Sequence, residues 1–81
     1  MTVHDIRHLK LPDAVLNVLR RIADPSIEEI AHEVESNGGG RHDLQALLGA
    51  ICILENRGYY IVEHDDLDGI RYELVEPELS A

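Results

Sequence analysis

His4 and His8 stand four residues apart, a spacing that puts two imidazoles on one helix face and suits a metal ion. A site needs more ligands, and Asp5 is the only near candidate, so a surface pair of histidines is the expectation. Cys52 is the lone cysteine, and with five histidines in the chain it invites a Cys–His nucleophile. It falls in the apolar run Leu47 to Leu54, where a thiol is inert rather than activated, so a packing or interface role is expected. The run His64 to Gly69 is rich in aspartate, but as a calcium loop it would begin on His64 and end on Val75. Such a loop wants Asp first and a bidentate Glu last. Gly38-Gly39-Gly40 lacks the Lys-Ser/Thr that completes a phosphate loop. No paired-carboxylate or triad pattern stands out, and 81 residues leave little room for a deep pocket. The chain is therefore expected to be no enzyme and to take no metal, cofactor or small-molecule substrate.

The elements that must position these residues form one small domain. Seven Lys and Arg against sixteen Asp and Glu give a net charge of −9. Such a field repels nucleic acid and anionic membranes at long range and favours basic partners. It also serves solubility, and a single lysine among so many acids fits a salt-adapted or a GC-rich source. No apolar run approaches the ~20 residues of a membrane span. No signal peptide is visible at Met1 to Leu11, and the lone thiol fits a reducing compartment, so the cytoplasm is expected. With no Trp or Phe and only three Tyr, the core must be aliphatic.

Residues 1–11 read as an N-terminal arm, 12–75 as a single domain and 76–81 as a tail. Pro12 suits the first turn of a helix whose apolar spacing runs from Ala14 to Ala23 and ends at Asp24-Pro25. Arg20-Arg21 should lie on its exposed side. Ser26-Ile27-Glu28-Glu29 has the pattern of a capping box opening a second helix. Ile27, Ile30, Ala31 and Val34 give that helix a buried face, and Glu28, Glu29, His32, Glu33 and Glu35 a solvated acidic one. Asn37-Gly38-Gly39-Gly40 breaks it. Asp43 can cap a third helix, Leu44 to Arg57, ended by Gly58. Gly49 in its middle costs ~1 kcal/mol against alanine, which points to a close approach there. Tyr59 to Glu63 and Arg71 to Val75 read as paired strands with Asp68-Gly69 as the turn signal. Either strand face could be the buried one. The expected class is mostly α with a small β-hairpin (α+β): a three-helix bundle plus a two-stranded hairpin.

Two stretches carry a resemblance. Leu54-Glu55-Asn56-Arg57-Gly58-Tyr59 at the helix-to-strand junction and Ser26-Ile27-Glu28-Glu29-Ile30-Ala31 at the second helix resemble the winged-helix (winged helix-turn-helix) superfamily. The resemblance covers roughly Pro12 to Val75. It implies that the hairpin is a wing, and that the third helix enters the DNA major groove, as in most members.

The residues on that helix point elsewhere. Leu47, Ala50 and Ile51 should pack inward, with Leu44 at the start of that face. This leaves Gln45, Leu48, Gly49, Cys52 and Ile53 outward or to the flanks. DNA contact needs basic or polar donors there, and only Gln45 qualifies. Asp65, Asp66 and Asp68 on the wing would oppose phosphates. Leu48, Gly49, Cys52 and Ile53 instead form an apolar strip of the kind that marks a protein interface. The leading expectation is an acidic, non-enzymatic interaction module with a regulatory role, binding a protein partner or a second copy as a homodimer. A plainer reading covers the strip with the arm or tail. The alternative is a dimeric DNA-binding transcription regulator using Arg41, His42 and Gln45, with Arg57 and Arg71 on phosphates. A DNA-mimicking decoy shares the charge argument alone.

Overall fold

The structure, a computed structural model, describes residues 9–76. Its elements run α1 (Leu11–Arg21), α2 (Ile27–Ser36), α3 (Leu44–Asn56), β1 (Tyr60–Asp66) and β2 (Gly69–Val75). The mostly-α fold with one antiparallel hairpin is the expected class.

Helix α1 begins without a side-chain cap at Lys10, and Pro12 occupies its first turn, where a missing N–H costs no hydrogen bond. Asp13 near its start and Arg20 and Arg21 near its end match the helix dipole. Ala14, Val15, Leu16, Val18 and Leu19 are buried. The helix stops at Arg21, short of the expected Ala23. Ile22 is already extended, Ala23 is exposed, and Asp24 takes a positive φ of 50°. The cause lies across the chain. The Tyr72 amide donates to the Pro25 carbonyl at 2.9 Å, and Ser26 bridges antiparallel to Arg71. The α1–α2 turn is thus drawn against the outer edge of β2, and the helix must end in time to reach it.

The capping box at α2 is formed. The Glu29 amide donates to Ser26 Oγ at 3.1 Å, and the Ser26 amide to Glu29 Oε1 at 2.9 Å. The bond from the Ser26 amide, foremost, holds the Glu29 carboxyl below the usual carboxylate range. Ile30 and Val34 are buried, and Ile27 and Ala31 pack beside them. Asp43 caps α3 by accepting from the Ala46 amide at 2.8 Å. Gly58, at φ 102°, turns the chain out of α3 into the hairpin.

Both strands are longer than the sequence suggested. The register runs from Tyr60 opposite Val75 to Asp66 opposite Gly69, leaving Leu67-Asp68 as a two-residue turn. Gly69, at φ 122°, lets the ladder close so tightly. Ile61 and Tyr72 face the core and Tyr60 does not, which decides between the two strand faces. Burial pushes the Tyr72 hydroxyl's pKa up. Val15, Val18, Ile30, Val34, Leu47 and Leu54 form an aliphatic centre where the three helices meet, and the hairpin covers one end. Leu9 and Leu11 also pack against this centre.

Arg21 corrects one expectation. It is half-buried rather than exposed, since α2 lies over it. Its Nε donates to Asn17 at 2.8 Å and its Nη1 to Glu33 at 3.4 Å, while Nη2 is buried without a partner. Among the described residues no helix is long and apolar enough to cross a membrane.

Candidate functional site

Helix α3 buries Leu47, Ala50, Ile51 and Leu54 and turns its remaining apolar residues outward. Leu48 is 41% exposed and Ile53 45%, and Cys52 and Gly49 are exposed as well. These four positions occupy two adjacent rows of side chains spaced one turn apart. Leu44 departs from expectation. It is 48% exposed, because it opens the helix with no preceding turn to cover it, and it lengthens the row through Leu48 and Cys52. Gln45 is exposed at the start of the second row. Cover of this strip by the N-terminal arm or the tail, like the His4–His8 pair, involves residues 1–8 and 77–81, which lie outside the described residues.

Gly49 also departs from expectation. A Cβ built there would meet nothing within 4 Å. No described part of the chain approaches it, so the propensity it forgoes has no cause among the described residues. Gly49→Ala is expected to raise stability by about 0.4–1 kcal/mol, through helix propensity and reduced unfolded-state entropy. Urea denaturation checks this; a loss of stability would mean that part of the chain does press on this turn.

Of the residues of the DNA reading, Arg41, His42 and Gln45 lie at the start of α3, whereas Arg57 follows its end and Arg71 is on β2. Arg41 and Arg57 flank opposite ends of α3, roughly 20 Å apart along its axis. Arg57 Nη1 donates to Asp13 at 2.9 Å. Arg71, on β2, reaches Glu29 at 3.0 Å and Asp66 at 3.8 Å. His42 is half-buried with Nε2 2.9 Å from the Gly39 carbonyl. Arg41 has only a 3.6 Å approach to Glu35, and its side chain is 87% exposed. Arg20 pairs with Glu76 at 2.9 Å, and that bond, foremost, raises its pKa. Exposed pairs of this kind add little stability. They do place a carboxylate beside every described arginine.

At the hairpin tip Leu67 is fully exposed and Ile70 44% exposed, among Asp65, Asp66 and Asp68. Neither apolar residue was singled out from the sequence, where the turn appeared as a longer acidic loop. A cleft of about 370 Å³ is lined by Arg57, Gly58, Tyr59, Val75 and Glu76. No family model, curated protein or solved structure matches this chain.

Proposed function

We propose that this chain is a non-enzymatic interaction module with a regulatory or scaffolding role, docking a protein partner or a second copy of itself through α3. The observation that carries this reading is the outward row of Leu44, Leu48 and Cys52 beside Gly49 and Ile53. Apolar residues continuous along one helix face suit another helix, and a glycine among them lets a neighbouring backbone come close. The acidic face of α2 and the aspartates of the wing steer basic partners toward the surface.

A second reading, a winged-helix regulator that binds DNA as a dimer, draws on the sequence resemblance and on one observation. Arg41, just before α3, is highly exposed and weakly paired, with Gln45 exposed a turn beyond. Titrating a labelled mixed-sequence duplex with the protein at low salt separates the two. Phosphate contacts dominate that regime, so any DNA-binding module of this type should raise the anisotropy. No rise is expected here. Salt-sensitive binding that weakens in Arg41→Ala would overturn the lead in favour of the second reading.

A further inference from the structure

On the outer face of the hairpin, His64 of β1 and Glu73 of β2 lie diagonally, because Val62 pairs with Glu73 and His64 with Arg71. His64 Nε2 is 2.7 Å from Glu73 Oε1. Asp24 comes to the same place from the α1–α2 turn: one ligand atom each from Asp24, His64 and Glu73 lies within 4.8 Å of the others. We propose that these three residues form a binding site for a divalent transition cation of the zinc type.

The donor set is one imidazole nitrogen and two carboxylates, a mixture that suits zinc and its neighbours better than calcium or magnesium. Ligand atoms about 2.0–2.2 Å from a tetrahedral zinc stand roughly 3.3–3.6 Å from one another. The three donor atoms lie within 4.8 Å of one another, up to about 1.5 Å wider than that spacing, and all three residues are exposed, so side-chain rotation can close the difference. Three protein ligands leave a fourth position for water.

The backbone holds these groups before any ion arrives. His64 and Glu73 are fixed by the hairpin register. Asp24 is fixed by its positive φ, which aspartate tolerates better than most residues, and by Arg71 Nη1 donating to its carbonyl at 3.0 Å. Arg71 is the cation beside the cluster, and Glu29 and Asp66 already offset its charge. A His64–Glu73 ion pair accounts for the 2.7 Å contact, and the Asp24 carboxylate is carried beside it by the α1–α2 turn, which the Tyr72–Pro25 bond holds against β2. A bound ion would cross-link the wing to the α1–α2 turn. This inference does not depend on what α3 docks.

The test is calorimetric titration of the full chain with zinc chloride near neutral pH, in a buffer that does not chelate. Wild type, His64→Ala, Asp24→Asn and a His4→Ala/His8→Ala double variant are compared, each checked for native circular dichroism. One zinc per chain is expected in wild type and in the double variant. Removing even a supporting contact of a metal site weakens binding about 10–100-fold, so His64→Ala and Asp24→Asn should lose at least that much. The site is refuted by an absence of zinc binding, by binding indifferent to His64→Ala, or by binding lost only in the His4/His8 variant. Loss in His64→Ala with full retention in Asp24→Asn would reduce the cluster to a His–Glu pair and refute the three-residue site.

Discussion

Leu54→Ala is expected to lower the free energy of unfolding by about 2–5 kcal/mol, the cost of deleting a buried leucine and leaving a cavity. Leu54 is fully buried where α3 meets α1. Its carbonyl also accepts from the Arg57 and Tyr59 amides, which tie the end of α3 to the start of the hairpin. A domain of this size has roughly 4–12 kcal/mol of stability in all. The variant should therefore lose much of its resistance to urea and unfold well below the wild-type temperature. Ile53→Ala, one residue away on the outward face, should cost under about 1 kcal/mol, because that side chain is already half in water. Equal losses in the two variants would mean that the inward and outward faces of α3 are misassigned.

Leu48→Glu is expected to do the opposite: little to the fold and much to docking. The side chain is 41% exposed, so the isolated domain should change by no more than about 0.5 kcal/mol. Once docked against an apolar surface, the new carboxylate would lose water without gaining a partner. The penalty for such a charge is several kcal/mol, and each 1.4 kcal/mol is tenfold in affinity, so association should weaken by about 100-fold or more. Sedimentation velocity over a concentration series measures this for self-association. A wild-type chain that stays monomeric at millimolar concentration excludes a second copy as the occupant. Unchanged self-association in Leu48→Glu removes α3 from the dimer interface.

The helices were legible because their signals are local. The Ser26–Glu29 box, the Asp43 cap and the Gly58 stop each act within a few residues, and each is formed. What the sequence concealed depends on pairing at a distance. Helix α1 ends early because the α1–α2 turn must meet β2, and no local pattern near Ile22 signals a bond between Pro25 and Tyr72. The same holds for Asp24, His64 and Glu73. Spacing drew attention to His4 and His8, whereas the three clustered residues are brought together by strand register and by that distant turn. At α3 the outward strip followed from helical periodicity. Leu44 was misplaced because periodicity describes a helix interior better than its first residue.

Cys52 has a practical consequence. It is the chain's only thiol, and it is exposed in the middle of the proposed docking surface. The natural sequence thus carries its own attachment point for a fluorophore or spin label, with no engineered cysteine and no competing thiol to remove. A bulky label there doubles as an obstruction and a small one as a reporter. Comparing the two distinguishes blocking the face from watching it become occupied.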